Sequence, residues 1–178
     1  MIHIKGETSK SKVTGVERSH IQPNAVDITV DKIFAFSKPE LGGLSNVVVI
    51  SNNQKQHRRV EQLLPIHGSD GKWADGEYWI LPEGVYDCLS SSEVHMAEGE
   101  AAFVIQRSTL NRNGLRCTSG LYDSGFSGKI GFSLTVQGGP AKIYRGVALC
   151  QLLTFQAETL GLYNGSYGTG KEGEARYQ

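Results

Sequence analysis

The sequence predicts an all-β protein, a distorted jelly roll or barrel-like β fold with at most one short helix. Three observations lead to this fold class. The apolar runs are only four to eight residues long, they are rich in β-branched and aromatic residues, and clusters of Gly, Pro, Asn or Ser separate them. Short runs punctuated in this way are typical of many strands joined by turns.

Seven of these runs are the predicted strands. They span residues 25–30, 32–36, 46–50, 78–81, 101–106, 129–136 and 148–155. In the run at 129–136, Ile130, Phe132, Leu134 and Val136 alternate with polar residues and glycine. Because successive side chains on a strand point to opposite faces, this run should be a half-buried strand.

One segment, "NQKQHRRVEQLLP" at 53–65, is a helix candidate. On a helix, Val60, Leu63 and Leu64 would share one face, and Pro65 would end the element. All other apolar segments favour strands, so the prediction allows no more than this single helix.

The 178 residues are enough for one domain with a proper core. We expect a single β domain at 1–162 and a flexible, glycine-rich C-terminal arm at 163–178. The arm has almost no aliphatic residues to bury. It should therefore be mobile until a ligand orders it.

Charge and cysteine content exclude several classes of protein. Lys and Arg number 18, as do Asp and Glu, so no global basic field favours nucleic acid or an anionic membrane. No apolar run approaches the roughly 20 residues that cross a bilayer. Cys88, Cys117 and Cys150 are scattered and odd in number, which predicts reduced, packed thiols in a cytoplasm, or a host cytoplasm if the source is viral.

Two familiar catalytic patterns fail on inspection. The stretch "GSYGTGK" at 165–171 resembles a phosphate-binding loop, but Glu172 follows it instead of Ser or Thr, and too few residues remain for a helix. The five histidines are widely spaced, and no HExxH or HxE…PCxxC motif occurs. Catalytic zinc is therefore not expected.

Two single residues keep both a structural and a functional interpretation. Ser108 could be a nucleophile, or its hydroxyl could close the turn after the strand at 101–106. Asp123 lies between the apolar pair Leu121 and Tyr122 and the sequence Ser-Gly. It could be a placed charge, or a turn residue whose carboxylate bonds the backbone two residues on.

The order of five segments resembles the five motifs of the dUTPase and dCTP deaminase superfamily. The segments are "IQPNAVDITV" at 21–30, "RSTLNRNGL" at 107–115, "SGLYDSGFSGKIGF" at 119–132, "RGVALCQLLTF" at 145–155 and "YNGSYGTGK" at 163–171. The resemblance implies the all-β dUTPase fold, a distorted jelly roll, assembled as a homotrimer with active sites between subunits. It also implies a β-hairpin that reads the pyrimidine and an arm that closes over the triphosphate.

The resemblance further implies roles for individual residues. Asp123 would be catalytic, orienting a water molecule for attack on the α-phosphorus of a deoxynucleoside triphosphate. Asp27 would support the site without touching the substrate. The implied substrate-binding residues are Arg107, Ser108, Thr109, Arg112, Ser119, Gly120, Phe126, Gln151, Tyr163, Tyr167 and Lys171. Mg²⁺ is the implied cofactor, held by the triphosphate and water with no direct protein ligand.

The leading interpretation is a dUTP diphosphatase that releases dUMP and pyrophosphate. The first motif, Arg112, Tyr163 and Tyr167 look like those of dCTP deaminases, and Phe126 replaces a tyrosine common in dUTPases. The glutamate that metal-free deaminases need to move protons would fall at Ser133, whose hydroxyl cannot act as that base alone. A dCTP deaminase, a dCTP-hydrolysing enzyme and a catalytically idle nucleotide sensor or protein-binding member remain as alternatives.

Overall fold

The computed structural model describes residues 3–4, 9–38, 46–52, 55–69 and 75–177. Within these ranges the chain forms fifteen strands, one α-helix and two 3-10 helices. The predicted all-β fold is confirmed. Ten of the strands form one large sheet, and two smaller sheets have three and two strands.

The strands take up most of the described chain. In chain order they are β1 (His3–Ile4), β2 (Lys12–Thr14), β3 (Val26–Thr29), β4 (Lys32–Phe36), β5 (Val49–Ile50), β6 (Lys55–Gln56), β7 (Val60–Leu63), β8 (Ile66–Ser69), β9 (Asp75–Leu81), β10 (Gly84–His95), β11 (Glu100–Gln106), β12 (Leu115–Thr118), β13 (Ser127–Val136), β14 (Ala141–Tyr144) and β15 (Ala148–Gln156). The 3-10 helices are Arg18–His20 and Glu172–Tyr177, and α1 is Ser108–Arg112.

The large sheet places β13 at its centre. The strand order is β1-β15-β11-β12-β13-β10-β4-β7, with β2 added to β10 and β3 added to β15. The predicted alternation on β13 is confirmed, because Ile130, Phe132, Leu134 and Val136 are all buried. These side chains join residues of β3, β10, β11, β12 and β15 in one hydrophobic core. Both sheet neighbours of β13, β10 and β12, therefore contribute to this core.

The longest strand, β10, was not predicted from the sequence. Its centre contains three serines, at positions 90 to 92, and the register with β13 shifts between Leu89 and Glu93. The hydroxyl groups of the buried Ser90 and Ser92 both have hydrogen-bond partners. Ser90 Oγ accepts from Ser92 N, and Ser92 Oγ donates to the carbonyl of Gly15. Polar residues inside a bulged strand hide the period-two pattern that identifies strands.

The predicted helix at 53–65 is wrong. Its residues 53 and 54 lie outside the described residues, and the others lie in β6, in β7 and in the segments that flank them. Val60 pairs with Phe36 and Leu63 pairs with Ile33 on β4. Pairing with a strand nearly 30 residues away overrides the weak local pattern of the segment. The single α-helix, α1, directly follows Arg107, which is its N-cap residue.

The three cysteines are buried, unpaired thiols, as the sequence predicts. Burial raises the pKa of the Cys88 thiol well above its ordinary value, and the neighbouring Cys117 adds to this effect. These groups therefore behave as small hydrophobic residues of the core. In the described part of the chain, no helix is long and apolar enough to span a membrane.

Candidate active site

A cavity of about 560 Å³ lies between the large sheet and the C-terminal arm. Its walls come from the β12–β13 loop, defined here as residues 119–126, of which 119–122 and Phe126 line the cavity, and from six residues of the arm between 163 and 177. Asp123 lies in this loop beside Tyr122 but is not among the lining residues. Asp87 on β10 and Ser133 on β13 belong to its floor. The cavity combines aromatic rings with a few polar groups, which is the usual composition of a small-molecule site.

The β12–β13 loop is anchored at Ser119 and at Tyr122 and is open at Gly120 between them. Tyr122 forms a bridge with Ala102 on β11, and its hydroxyl donates to the carbonyl of Gly131. The Ser119 hydroxyl accepts from Val104 N and donates to the carbonyl of Gly120. A Cβ on Gly120 would meet no other atom within 4 Å. The backbone at the loop tip is therefore accessible from the cavity, whereas the Ser119 hydroxyl is already engaged.

Asp123 makes its turn with the backbone alone. Its carbonyl accepts from Phe126 N at 3.0 Å. The residue is exposed, and its carboxylate has no hydrogen bond or ion pair with any residue that the structure describes. The carboxylate thus does not bond the backbone two residues on, which was the structural alternative in the sequence analysis. It can accept a hydrogen bond from a water molecule.

The arm packs along the cavity through its aromatic residues. Tyr163 contacts the ring of Phe126 with centroids 5.3 Å apart, and Phe126 in turn contacts Tyr122 at 5.2 Å. Tyr167 lies at 5.9 Å from the ring of His57, next to β6. The arm therefore lies against the body of the protein in the structure, and its mobility in solution stays a prediction.

The end of the arm reaches the cavity floor. The Tyr177 hydroxyl donates to Asp87 Oδ2 at 3.0 Å, and Arg176 Nη2 lies 3.4 Å from the same oxygen. The Tyr177 ring also contacts Phe34 on β4, with centroids 5.2 Å apart. Burial raises the pKa of Asp87, while Arg176 and Tyr177 oppose that effect without cancelling it.

Asp87, Arg176 and Tyr177 were not among the predicted site residues. The signal for Asp87 was present in the sequence, because this acid lies between apolar residues in "GVYDCL", just as Asp123 lies beside Leu121 and Tyr122. Arg176 and Tyr177 gave no comparable signal. Their role depends on contact with a residue about 90 positions earlier in the chain.

A second polar cluster lies at the far end of β11 and contains three of the predicted residues. Gln151 Nε2 donates to Asp27 Oδ1 at 2.9 Å, and Arg107 Nη2 lies 3.6 Å from Asp27 Oδ2. Gln22 Nε2 also donates to Asp27 Oδ2, at 3.2 Å. The buried Asp27 thus contacts both Arg107 and Gln151. Its role in supporting a substrate site stays a prediction.

The two polar clusters are far apart within one chain. Tyr122, beside Asp123, is paired with Ala102, and Arg107 follows Ala102 by five residues along an extended strand. With a rise of about 3.3 Å per residue, Arg107 and Ala102 are about 16 Å apart. An arginine and an aspartate side chain together do not span this distance. Asp123 and Arg107 of one chain therefore do not contact each other directly.

The other predicted residues lie on the surface. Ser108, Thr109 and Arg112 are exposed on α1, and their side chains have no polar partner among the described residues. Thr109 and Arg107 line a second cavity, of about 580 Å³. Lys171 is exposed on the arm, where its backbone N–H donates to the carbonyl of Gly168.

No group of three or more His, Cys, Asp or Glu side chains could hold a metal ion, within the residues that the structure describes. Asp123, within the β12–β13 loop, offers an exposed carboxylate. This sparse donor set fits a magnesium ion that arrives with a triphosphate, since Mg²⁺ keeps several water molecules and is commonly bound through phosphate oxygens.

Comparison with known proteins places this fold and site in a family. Residues 2–157 match the profile of the family described as "DCD: dCTP deaminase-like", and the chain belongs to this family. The chain is 28% identical to the deoxyuridine 5'-triphosphate nucleotidohydrolase of Methanocaldococcus jannaschii, over 92% of this chain and 97% of that protein. It is 25% identical to a dUMP-forming dCTP deaminase of Persephonella marina, over 92% and 88% of the two chains.

Solved structures share the fold. The 2'-deoxycytidine 5'-triphosphate deaminase from Agrobacterium tumefaciens superposes with a TM-score of 0.54 and 13% identity, over 83% of this chain and 44% of that one. A dUTPase of Staphylococcus bacteriophage 80alpha superposes with a TM-score of 0.50 and 12% identity, over 90% and 99% of the chains. The predicted membership of the dUTPase and dCTP deaminase superfamily is confirmed.

Proposed function

We propose that the protein is a dUTP diphosphatase, which converts dUTP and water into dUMP and pyrophosphate in the nucleotide metabolism of a cytoplasm. The observation that carries this proposal is the exposed carboxylate of Asp123, which is free of side-chain partners among the described residues while its backbone holds the turn. Archaeal relatives named as dUTP nucleotidohydrolases, at 26% to 28% identity, support the choice of substrate.

Each group in the proposed site has a defined task. Asp123 accepts a hydrogen bond from the attacking water and orients its lone pair toward the α-phosphorus. Arg107, Ser108 and Gln151 donate to phosphate oxygens, where negative charge develops in the transition state. Mg²⁺ held by the triphosphate supplies additional charge neutralisation at the phosphates when it is bound.

The cavity supplies the proposed nucleoside site. The accessible backbone at Ser119 and Gly120 would read the edge of the pyrimidine, and the Phe126 ring would pack against the sugar. Tyr163 and Tyr167 would cover the nucleotide from the arm. Lys171 would add positive charge beside the triphosphate, and Thr109 and Arg112 would extend the phosphate-binding surface from α1.

A site shared between two copies of the chain is favoured because Asp123 and Arg107 of one chain do not contact each other directly. We propose a homotrimer in which each site takes Asp123 from one subunit and Arg107 from another. Light scattering after size exclusion would give the mass of the assembly. A trimer is expected, and a monomer with full activity would contradict the shared site.

Mixed assemblies test the shared site directly. Asp123→Asn and Arg107→Ala each inactivate the protein when they are present in every subunit. If sites form between chains, unfolding and refolding the two variants together in equal amounts restores about a quarter of the sites by random assembly. If each chain holds a complete site, no activity returns.

A deaminase is the second candidate, because a relative is named as a dUMP-forming dCTP deaminase. Ser133 lines the cavity floor. The resemblance of the third motif implies that the deaminase glutamate would fall at this position. Incubation with each deoxynucleoside triphosphate and Mg²⁺, with separate assays for pyrophosphate and ammonia, distinguishes the candidates. Pyrophosphate from dUTP without ammonia from dCTP is expected. Ammonia from dCTP would favour the deaminase, and neither product would favour a nucleotide sensor or protein-binding role.

A further inference from the structure

We propose that Asp87 is a positioning residue of the active site, which holds the C-terminal arm on the cavity floor and directs the guanidinium of Arg176 toward an acceptor oxygen of the bound nucleotide. This inference rests on the proposed function for the identity of the ligand. The role of Asp87 in holding the arm rests on geometry alone, and it can be tested without substrate.

Asp87 lies where the arm and the cavity meet. It pairs with Phe34 on one side and with Ser133 on the other, so its side chain shares one face of the sheet with both. Its carboxylate lines the cavity together with Arg176 and Tyr177. The position of Asp87 is fixed by two neighbouring strands, whereas its polar side-chain partners come from the arm.

Both of these partners contact the same carboxylate oxygen. The Tyr177 hydroxyl donates to Oδ2 at 3.0 Å, and Arg176 Nη2 lies 3.4 Å from it. Hydrogen bonds to a charged group are stronger than those between neutral groups. Release of the arm would remove both donors at once, so the carboxylate favours the docked arm over the released arm.

Arg176 carries an unused donor. Among the described residues, Arg176 Nε is the one buried side-chain nitrogen or oxygen atom without a hydrogen-bond partner. Its side chain is only 18% exposed, and the residue lines the cavity. A buried N–H group without a partner is costly, and an acceptor oxygen that enters the cavity would remove that cost. The guanidinium thus contacts Asp87 through Nη2, and its Nε–H is a donor that a ligand oxygen could satisfy.

The Tyr177 ring fixes the geometry of this arrangement. It contacts Phe34, the neighbour of Asp87 on β4, with centroids 5.2 Å apart and an interplanar angle of 56°. Burial raises the pKa of Tyr177 and the adjacent Asp87 raises it further, so its hydroxyl remains a proton donor to the carboxylate. The aromatic contact and the hydrogen bond hold Tyr177, and the adjacent Arg176 lines the same cavity.

Limited proteolysis measures the docking of the arm without substrate. Trypsin cleaves after Lys171 and Arg176, and mass spectrometry follows the release of the C-terminal peptides from the full chain. Because a docked segment resists proteolysis, we expect Asp87→Asn to release them about tenfold faster than the wild type, in line with the loss of a charge-assisted interaction. Asp31→Asn is the matched control, since Asp31 pairs with Arg145 at 2.7 Å outside the cavity. It should release the peptides at the wild-type rate.

Steady-state kinetics with dUTP measures the consequence for the ligand. Asp87→Asn and Tyr177→Phe should each raise KM severalfold with a smaller change in kcat, because the arm binds the nucleotide but does not carry the attacking water. The two substitutions act on one hydrogen bond, so their combined effect should be smaller than the product of the single effects. If the fold-change in KM of the double variant equals the product of the two single fold-changes, Asp87 and Tyr177 act independently and the coupling is wrong.

Arg176→Gln identifies the acceptor oxygen. Binding of dUTP, dUMP and deoxyuridine is compared by calorimetry for this variant and the wild type. Weaker binding of dUTP and dUMP alone indicates a phosphate oxygen, and weaker binding of all three indicates an oxygen of the nucleoside. Unchanged binding of all three overturns the assignment of Arg176.

The inference and the proposed function can fail separately. If the wild type releases no pyrophosphate from dUTP, the proposed function fails, while the proteolysis result still decides the role of Asp87 in docking the arm. If Asp87→Asn matches the wild type in both proteolysis and KM, the positioning role fails, even where the wild type hydrolyses dUTP.

Discussion

Asp87 and Ser133 face each other across neighbouring strands on the cavity floor, as direct partners in the pairing of β10 with β13. Side chains in such a pair lie on the same face of the sheet, with Cβ atoms about 5 Å apart. The cavity floor therefore holds a carboxylate beside the serine, but on the adjacent strand. This arrangement bears directly on whether a single substitution could produce deaminase chemistry.

Ser133→Glu should not produce a deaminase. The introduced carboxylate would lie directly opposite Asp87, and like charges at such positions destabilise a sheet and raise the pKa of both acids. We expect no ammonia from dCTP and a melting temperature below that of the wild type. Measurable ammonia release by this variant would show that the position alone controls the reaction. Ser133→Gln, which adds a similar side chain without charge, is the control for size.

Asp123→Asn should separate binding from turnover. The amide keeps the size of the side chain but cannot accept hydrogen bonds at both positions that a carboxylate offers, so the water is no longer oriented or relieved of its proton. We expect kcat to fall about 100-fold or more, the scale of lost general-base assistance. The dissociation constant of dUTP, measured in the absence of turnover, should stay within a few-fold of the wild type. Normal turnover would exclude Asp123 as the catalytic carboxylate.

Local sequence patterns predicted the parts of the fold that depend on neighbouring residues. The strand predicted at 32–36 is β4 with the same bounds, and the alternation predicted for 129–136 matches the burial of β13. The helix at 53–65 failed because its partners on β4 lie far away in the sequence. The long strand β10 was missed because three serines and a register shift interrupt its apolar pattern.

In the candidate site, too, residues within contiguous motifs could be predicted from the sequence, whereas contacts between distant residues could not. Asp123, Arg107 and Gln151 were predicted as site residues because they belong to motifs that can be read along the chain. Asp87 and Arg176 could not be connected from the sequence, since their contact joins a strand to the end of the arm. The distance between Asp123 and Arg107 could be estimated only from the pairing register of β11, which no local sequence pattern shows.

Glu100 should control the stability of the protein in acid. Burial alone would raise its pKa, but the hydroxyls of Ser11 and Ser9 and the backbone N–H groups of Lys10 and Ser11 outweigh burial and lower it from the ordinary value of 4.5. Because its pKa is lowered in the folded state, the ionised Glu100 carboxylate stabilises the fold. This stabilisation is present above the unfolded pKa and is lost as the pH falls through the folded pKa.

Glu100→Gln tests this assignment. Above pH 5 we expect the variant to be less stable than the wild type by about 2 kcal/mol, the scale of hydrogen bonds to a charged group. Below the folded pKa, where the wild-type carboxyl is protonated, the two proteins should approach equal stability. Urea unfolding between pH 2.5 and 7 measures the difference. A difference that does not depend on pH would mean that Glu100 stabilises through packing alone.

Deletion of residues 163–178 should leave the core intact. The arm contacts the rest of the protein through Tyr163, through the backbone at 168–169, and through Arg176 and Tyr177, and the fully buried core residues of β10, β13 and β15 come from the sheet itself. We expect the oligomeric mass to be unchanged, and dUTP turnover to fall by orders of magnitude because the nucleotide is no longer enclosed. Full activity in the truncated protein would show that the arm is not a lid, and loss of the oligomer would show that it is structural.

Gly168→Ala should release the arm without removing any of its side chains. Gly168 has a φ of +115°, which residues with a side chain rarely adopt, and a Cβ there would lie 2.6 Å from the carbonyl oxygen of Ser127. The same carbonyl accepts from Thr169 N at 2.8 Å, so the backbone of the arm lies directly against β13 at this point. The strain costs about 1–3 kcal/mol, enough to shift the docking equilibrium five- to a hundredfold.

The matched control for this substitution is Gly161→Ala. A Cβ at Gly161 would meet no atom within 4 Å, and its φ lies outside the left-handed region. Trypsin should release the C-terminal peptides faster from Gly168→Ala than from the wild type, and KM for dUTP should rise while the melting temperature of the domain changes little. Gly161→Ala should match the wild type in all three measurements. If Gly168→Ala also matches it, the contact between the arm and β13 is not what holds the arm over the cavity.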